Sequence, residues 1–418
     1  MQVETDDVVI IERVAALDIG KAEVMCCVRL PGPDGRRLQE VRSASTMTGS
    51  LLELGDWLFE LGVSRVVMEA TSDYWRAPFY LLEDRFDVWL VNAKDVKHLP
   101  GRPKTDRLDA VWLCKVAERQ MIRASFVPPP KIRELRDLTR YRVDLVVART
   151  AEKQRVEKLL EDALIKLSVV ASGIFGVSGR AMMAALIDGE RDPAVLAGLA
   201  RGTLRKKTGR LTEALTGKFR PHHAFLLAQM LGRIDDIGAH IDQVQTEIDR
   251  QIAPFAQAVT RLDEIPGVGL TAAQTIIAEI GLNMSRFPTP DHLVAWAHFA
   301  PGISESAGRK KGNAGTGHGN RYLGRVLGEA AVSAAKTDTF LGERYRRIAR
   351  RRGSKRATVA VGRSILIIIW HLLSDPNARF HDLGSGYYDS RNNPERRARN
   401  HVRELQALGY NVTLQPAA

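Results

Sequence analysis

Three consecutive prolines at positions 128–130 separate two stretches of the chain whose apolar residues follow different periods. Before them, short apolar runs of strand length alternate with segments of helical spacing, as in α/β domains. After them, the pattern is almost continuously helical. Because proline fixes φ and lacks a backbone donor, such a run ends both helices and sheet ladders. The sequence therefore predicts a domain over residues 1–127 and a separate, mainly helical remainder.

The first domain is expected to be a sheet flanked by helices. The predicted strands cover residues 14–18, 24–28, 65–69 and 87–92, and the predicted helices cover residues 49–61, 74–82 and 105–120. In α/β sheets, ligands bind beyond the carboxyl ends of the strands. Functional side chains are therefore expected where these strands end.

The remainder divides into three predicted regions. Residues 131–258 form a helical region in which apolar residues repeat in steps of four and three, namely Met230, Ile234, Ile237, Ile241, Val244 and Ile248. This heptad pattern favours a coiled coil, paired either with helix 131–167 of the same chain or with a second subunit, as a homodimer or tetramer. Residues 261–383 form a mainly α C-terminal domain, and residues 384–418 form a polar tail of unassigned role.

Charge and composition narrow the function classes. The chain has 61 Lys and Arg against 49 Asp and Glu, and residues 301–418 hold 21 against 9, so this last part carries the whole excess of +12. Positive charge concentrated in one part of a chain attracts the phosphate backbone of nucleic acids. A basic surface that only faces solvent would give the same net charge. The content of 44% hydrophobic and 26% charged residues excludes a disordered chain.

Membrane and disulfide-rich classes are also disfavoured. The longest apolar run, residues 364–373, is shorter than the ~20 residues of a membrane span. Cys26, Cys27 and Cys114 form neither a disulfide framework nor a CxxC pair, and the acidic N-terminus lacks a signal-peptide pattern. We therefore expect a cytoplasmic protein without membrane association.

Four carboxylates stand out by position in the first domain. Asp18 and Glu69 end predicted strands, whereas Asp106 and Asp109 lie three residues apart on a predicted helix and so share a face. Converging carboxylates repel one another unless cations lie between them, and oxygen ligands suit Mg²⁺ or Mn²⁺. Such ions activate a nucleophile and stabilise a leaving oxygen in phosphoryl transfer.

Structural roles for the same residues stay open. An aspartate at a strand end is often a loop cap, and Asp106 could cap its helix while Asp109 stabilises the first turn. Lys104 and Arg107 flank the helical pair and could reach a phosphate, although solvated surface cations are more common.

Residues 265–270, Ile-Pro-Gly-Val-Gly-Leu, precede a helical stretch over residues 271–280. A tight turn with Gly267 and Gly269 that enters a helix exposes backbone N–H groups to an anion. The pattern predicts a helix-hairpin-helix element that holds the nucleic-acid backbone, with a plain helix–helix turn as the alternative.

Residues 301–320 form a glycine-rich loop with two serines and a basic run, Arg309, Lys310 and Lys311. The cations suit a phosphate, and Ser304 or Ser306 is a candidate nucleophile. No His–Asp pair adjoins the serines in sequence, and a flexible surface loop is the alternative.

Together these motifs resemble a known family, the DEDD-type insertion-sequence transposases of the "one-ten" class and the related Piv-type invertases. The resemblance lies in Ala-Leu-Asp-Ile-Gly around Asp18, Val-Met-Glu-Ala-Thr around Glu69, and Lys-Thr-Asp-Arg-Leu-Asp-Ala over residues 104–110. It continues in Ile-Pro-Gly-Val-Gly, Phe-Ala-Pro-Gly, Glu-Ser-Ala-Gly-Arg and Gly-Asn-Arg-Tyr-Leu, up to about residue 330.

The resemblance implies a RuvC-like, RNase H-type catalytic domain whose acidic tetrad holds Mg²⁺, namely Asp18, Glu69, Asp106 and Asp109. It implies that Ser306, with Ser304 as the fallback, attacks the scissile phosphate and forms a transient phosphoserine link to DNA. It further implies a guide RNA from the same element, a dimerising coiled coil, and nucleic-acid contacts of Asn320, Arg321 and the basic loop. A bacterial, nucleoid-associated location follows.

Three other functions remain as alternatives. One is a metal-dependent DNA nuclease or resolvase without serine chemistry, and another is a non-catalytic coiled-coil DNA-binding protein. The third treats Asp18-Ile-Gly as a phosphate loop of the actin and sugar-kinase fold, but a second phosphate loop and an adenosine motif are not recognisable in the sequence.

Overall fold

The computed structural model describes residues 10–92, 105–302, 305–306, 309–310, 315–317, 319–390 and 394–415. The chain folds as two compact units, Met1–Val127 and Pro128–Ala418. The proline run therefore stands at the start of the second unit.

The first unit contains a mixed five-stranded sheet in the order β3-β2-β1-β4-β5. The strands are β1 (Val14–Ile19), β2 (Glu23–Pro31), β3 (Arg37–Ser45), β4 (Arg65–Glu69) and β5 (Asp87–Val91). β1, β4 and β5 run parallel, whereas β2 and β3 are antiparallel to their neighbours. The α/β class of this unit is confirmed, and a mixed sheet of this order accommodates the expected RNase H-type arrangement.

Helices cover both faces of this sheet. They are α1 (Thr48–Glu60), α2 (Arg76–Leu82) and α3 (Asp106–Glu118). Side chains alternate along β1, so Ala15 and Leu17 enter the core beneath α1 and α2 while Val14 and Ala16 face α3. Two apolar layers thus fix the central strand between helices.

Two long helices dominate the start of the second unit, α4 (Pro130–Asp162) and α9 (Pro221–Ile252). They pack antiparallel, because successive contacts join Arg142 to Gln245, Glu152 to Arg233, and Asp162 to His223. The apolar seam of α9 therefore packs on its own chain's long helix. The supercoil and the dimer remain predictions.

A small helical cluster caps the far end of this pair. It contains α5 (Leu167–Val170), α6 (Val177–Ile187), α7 (Pro193–Gly198) and α8 (Thr208–Leu215). These helices share one apolar core with the ends of the long pair, including Met182, Leu196, Leu211 and Leu227. Short helices therefore fill the segment between the two long ones.

The C-terminal region consists mainly of helices. They are α10 (Ala256–Asp263), α11 (Leu270–Ile280), α12 (Pro290–Trp296), α13 (Arg321–Ala334), α14 (Phe340–Arg352), α15 (Ser354–Ser374), α16 (Tyr387–Ser390) and α17 (Pro394–Ala407). Between α12 and α13, β6 (Glu305–Ser306) pairs with β7 (Arg309–Lys310). The start of the polar tail packs on α14, since the Tyr387 ring meets Phe340 edge-on at 5.0 Å between centroids.

Among the described helices, α15 has the length and apolar composition that a membrane span requires. Its Val361, Ile365 and Ile369 are fully buried within the second unit. These contacts are those of a core helix, against which α10, α12, α13 and α14 pack.

Candidate active site

Asp18 and Glu69 lie next to each other at one edge of the sheet. β1 and β4 pair in parallel with Leu17 opposite Met68, which places the two acidic residues one step further along adjacent strands. Adjacent strands are about 4.8 Å apart. Glu69 is 8% exposed and Asp18 is half-buried. The sheet therefore brings these two predicted site residues together.

Helix α3 runs antiparallel to β1 and brings its first turn to the same edge. The Cys114 Sγ donates to the Val14 carbonyl at 3.5 Å, so these residues lie level. With 1.5 Å per helical residue, Asp109 and Asp106 lie about 8 and 12 Å from Cys114 along α3. Asp18 lies about 13 Å from Val14 along the strand. The backbone positions of all four predicted site residues thus belong to one edge of the first unit.

The cap of α3 is a threonine. The Thr105 Oγ1 accepts from the Leu108 N–H at 3.3 Å, and its carbonyl accepts from the Asp109 N–H at 2.7 Å. The alternative that Asp106 caps this helix is therefore wrong. Asp109 is half-buried and Arg107 is exposed. Lys104 lies outside the described residues.

An ion-pair cluster that the sequence did not indicate anchors the other end of α3. The Arg29 Nε donates to Glu118 Oε2 at 2.9 Å, and the Arg37 Nε lies 2.5 Å from Glu118 Oε1. Glu118 is 4% exposed, so the two guanidinium groups neutralise a buried carboxylate. Because Arg29 and Arg37 belong to β2 and β3, this cluster fixes α3 along the sheet.

A depression of about 280 Å³ opens at the end of β1 and is lined by Asp18, Ile19, Gly20, Ala22, Glu23 and Met25. Glu23 adds an exposed carboxylate that the strand-end argument did not single out. Asp18 and Glu23 at this depression, and the buried Glu69 on the strand next to Asp18, are oxygen donors of the kind that hard divalent cations prefer. The residues present fit a divalent metal.

The candidate nucleophile Ser306 lies in the second unit, in the ribbon formed by β6 and β7. Its register partner is Arg309, and that of Glu305 is Lys310. The Gly302 N–H donates to the Gly315 carbonyl at 3.3 Å, which closes the base of the loop. Ser304 and Lys311 lie outside the described residues.

The end of this loop packs against the segment that follows α12. His298 has a φ of +58°, and its Nδ1 donates to the Thr316 carbonyl at 3.0 Å. A Cβ on Gly319 would lie 2.7 Å from the Ala297 carbonyl oxygen. Only glycine allows this close approach, which explains one of the loop's glycines without invoking a ligand.

Asn320 connects the loop to a buried carboxylate on α11. Its Oδ1 caps α13 by accepting from the Tyr322 and Leu323 N–H groups, and its Nδ2 donates to Glu279 Oε2 at 2.5 Å. Arg140 binds the fully buried Glu279 in bidentate fashion, with both distances 2.8 Å. Burial acts to lower the pKa of Arg140, but the hydrogen bonds and the negative charge of Glu279, with smaller contributions from Tyr322 and Asp137, together raise that pKa above its usual value.

The turn before α11 lines a cavity of about 440 Å³, together with side chains of α4 and α13 that include Arg142, Tyr322 and Arg325. Gly267 has a φ of +90°, and a Cβ there would lie 2.2 Å from the Ala330 carbonyl oxygen. Gly269 precedes α11 and leaves open space. The turn thus joins two helices beside this cavity, and its contact with nucleic acid stays a prediction.

Arg142 forms a buried cationic wall of this cavity. It is 4% exposed and donates to Gln245 at 2.5 Å, Gln274 at 3.0 Å and Thr275 at 3.1 Å. These acceptors are neutral, and burial lowers the pKa of the guanidinium. The sequence pattern does not single out Arg142. An arginine on a helix rich in charged residues is expected to face solvent, and only the packing of α4 shows that this one is buried.

Arg321 lies on the surface beside an aromatic ring. Its guanidinium is 4.7 Å from the centroid of Tyr322, and Arg140 lies 4.8 Å from the same ring. A hydrogen bond to the Tyr322 hydroxyl, at 2.6 Å, raises the pKa of Arg321. The arrangement keeps Arg321 exposed and charged, as binding a phosphate requires.

A separate group of possible metal ligands, Asp162, His222 and His223, lies where α4 ends and α9 begins. The His223 Nδ1 accepts from the Arg220 N–H at 3.1 Å, which leaves Nε2 to donate to Asp162 at 2.9 Å. Both nitrogens of the His223 ring therefore have structural partners. This cluster joins two helix ends.

Comparison with known proteins gives two family matches. Residues 15–165 match the profile of DEDD-type IS110 transposases. Residues 259–346 match the profile of transposases of the IS116/IS110/IS902 family. Together the two matches cover more than half of the chain, and they include the carboxylate edge, the turn before α11 and the serine loop.

Two relatives extend over most of the chain. The transposase for insertion sequence element IS1111A of Coxiella burnetii is 25% identical over 321 residues, which cover 75% of this chain and 79% of that protein. A probable family 20 transposase of Pseudomonas aeruginosa is 25% identical over 334 residues, 77% of this chain and 87% of that protein. The family resemblance of the sequence motifs is confirmed, and the DEDD type indicates a divalent metal. The chain belongs to the IS110 family of insertion-sequence transposases, enzymes that recombine DNA.

Proposed function

We propose that this transposase cleaves and exchanges DNA strands with Mg²⁺, or Mn²⁺ in its place, held by Asp18, Glu69, Asp106 and Asp109. One observation carries this proposal: adjacent parallel strands end in Asp18 and Glu69, and the first turn of α3 reaches the same edge. When bound, the metal supplies positive charge that stabilises the developing charge on the phosphate. The Glu118 cluster keeps α3 in position, and with it Asp109.

Ser306 is the proposed nucleophile. Its oxygen forms a bond to the scissile phosphorus while the bond from phosphorus to one deoxyribose oxygen breaks. The serine proton leaves to solvent, and the released deoxyribose oxygen takes up a proton. Reversal of this step by the hydroxyl of another DNA end completes strand exchange without loss of phosphodiester energy. The ribbon supports this role, because it presents Ser306 in a loop that also carries Arg309 and Lys310.

Nucleic acid is bound, in this proposal, by the basic loop, the turn at Gly267 and Gly269, and the exposed Arg321. A structured RNA from the same element selects the DNA partners. The family resemblance supports a further part of the proposal, that the carboxylates and Ser306 act on the same DNA in a dimer or tetramer.

The test is recombination in cells that carry the gene with its native flanking DNA. PCR across the excised circular junction compares wild type with Asp109→Asn and Ser306→Ala. Asp84→Asn and Ser172→Ala serve as matched controls, because both are exposed residues outside the proposed site. Immunoblots establish equal expression.

The expected result is a junction in wild type and both controls and none in the two site variants. If the junction still forms with Ser306→Ala, this serine is not the nucleophile, and the alternative function, a metal-dependent nuclease or resolvase without serine chemistry, is favoured. Strand cleavage by purified protein that is unaffected by EDTA would exclude the metal at the carboxylate edge.

A further inference from the structure

The cationic excess of the C-terminal region is concentrated in one short segment. Residues 340–356 contain eight Lys and Arg side chains and one acidic side chain, Glu343. The segment comprises α14 and the start of α15, which are joined by the single residue Gly353 at a φ of +82°. The two helices therefore meet in a sharp turn.

The fold itself uses three of these cations. Arg346 pairs with Glu343 at 3.1 Å. Arg344 donates to the Tyr388 hydroxyl at 3.0 Å, and the Arg347 guanidinium lies 4.5 Å from the centroid of the same ring. Arg344 and Arg347 thus hold the start of the tail against α14, and internal contacts explain all three side chains.

Among the described residues, the other five cations have no partner of this kind. They surround the turn and are all exposed, namely Arg350, Arg351, Arg352, Lys355 and Arg356. Within the described part of the chain, none of them forms an ion pair with a carboxylate. We refer to these five residues as the basic elbow.

Helix stability explains only part of the basic elbow. Arg350, Arg351 and Arg352 end α14, where the helix dipole favours positive charge. Lys355 and Arg356 lie in the first turn of α15, where both the dipole and the three neighbouring arginines oppose positive charge. An unfavourable, unpaired and exposed group of like charges indicates a binding surface for a polyanion.

We propose that the basic elbow binds the sugar-phosphate backbone of duplex DNA. The proposal rests on the DNA-directed function of the family and adds a surface separate from the serine loop and the turn before α11. Duplex DNA carries one negative charge per about 1.7 Å of its axis, which suits five cations around one turn. Contacts of this kind position the duplex without reading its sequence.

The experiment measures binding of the full-length protein to a 30-base-pair duplex by fluorescence anisotropy between 50 and 300 mM KCl. The test variant is Arg351→Gln/Lys355→Gln. The matched control is Lys158→Gln/Arg286→Gln, which removes the same charge from exposed side chains that, in the described structure, form no ion pair. An RNA duplex of the same sequence forms a second arm, and circular dichroism checks folding.

Each phosphate contact contributes a slope of about 0.9 to the dependence of log K on log salt, so the test variant loses about 1.8 in slope. At 100 mM salt this corresponds to about 8-fold per contact, or about 60-fold in affinity for DNA. The single variants Arg351→Gln and Lys355→Gln should each lose half of the slope change, which keeps the test valid if the double variant misfolds.

Equal losses in test and control variants, or no loss in either, would overturn the proposal. So would a loss confined to the RNA duplex. If the wild-type protein binds no DNA at any salt concentration, the proposed function itself is refuted. If the wild-type protein binds DNA and the test variant binds it equally well, only the proposal for the basic elbow is refuted.

Discussion

Removal of the Glu279 carboxylate is expected to destabilise the second unit strongly. Three hydrogen bonds reach this carboxylate, two from Arg140 at 2.8 Å and one from Asn320 at 2.5 Å, and the Arg136 Nε lies 3.4 Å away. Its side chain is 0% exposed, whereas those of Arg136 and Arg140 are 15% and 30% exposed. Glu279→Ala therefore leaves two largely buried cations without their counter-ion.

The magnitude follows from this burial. Removing one partner of a buried ion pair costs about 3–5 kcal/mol, and we expect about 3–4 kcal/mol because Arg140 can turn partly towards water. For a domain of this size the corresponding fall in Tm is about 6–8 °C, at about 2 °C per kcal/mol. Urea unfolding followed by circular dichroism gives the free energy of unfolding, and a thermal scan gives Tm.

A double-mutant cycle with Arg140→Ala separates the pair from other effects. The expected coupling free energy is about 2 kcal/mol. Glu157→Ala is the matched control, since Glu157 is an exposed glutamate on α4, and it should leave the free energy of unfolding unchanged. A loss below about 1 kcal/mol for Glu279→Ala, or additive single variants, would refute this account of the network.

Three further predictions concern the turn, the anchor of α3 and the cysteines. Gly267→Ala should lower the free energy of unfolding by more than about 2 kcal/mol, because Gly267 has a positive φ and a Cβ there would clash with Ala330. Gly269→Ala should lower it by less than about 1 kcal/mol, and equal urea midpoints for the two variants would contradict this prediction. Glu118→Gln should cost about 2 kcal/mol, since two arginines lose their counter-ion, and should also reduce junction formation in the cellular assay. The three cysteines are buried, and burial raises the pKa of the Cys114 thiol. Ellman's reagent at pH 8 should therefore modify none of them until denaturant is added, and rapid labelling of the native protein would contradict their burial.

The carboxylate edge was predictable because strand-length apolar runs end directly at Asp18 and Glu69. Backbone pairing then brings such residues together wherever the strands are parallel neighbours. Strand β3 was not predicted. Its sequence, Arg-Leu-Gln-Glu-Val-Arg-Ser-Ala-Ser, is largely exposed and polar, and its extended form is imposed by hydrogen bonds to β2 at the edge of the sheet.

The buried ion pairs could not be predicted from the sequence. Glu118 and Glu279 lie in helices with many charged neighbours, where glutamates normally face solvent. Their partners are distant in the chain: Arg29 is 89 residues from Glu118, and Arg140 is 139 residues from Glu279. Only the packing of complete helices and strands decides which carboxylate is buried, so local periodicity carries no signal for it.

The antiparallel pairing of α4 and α9 makes this part of the second unit a spacer of fixed length. Helix α4 has 33 residues and so spans about 50 Å. Arg142 lies opposite Gln245 and Asp162 opposite His223, so the chain that runs out along α4 returns along α9 over a similar number of residues. Equal deletions of seven residues from both helices would therefore shorten the spacer and preserve its pairing, whereas an unequal deletion would rotate the far end by about 100° per residue. Residues 163–220 therefore begin and end at the same end of the helix pair, because Asp162 and His223 are in contact.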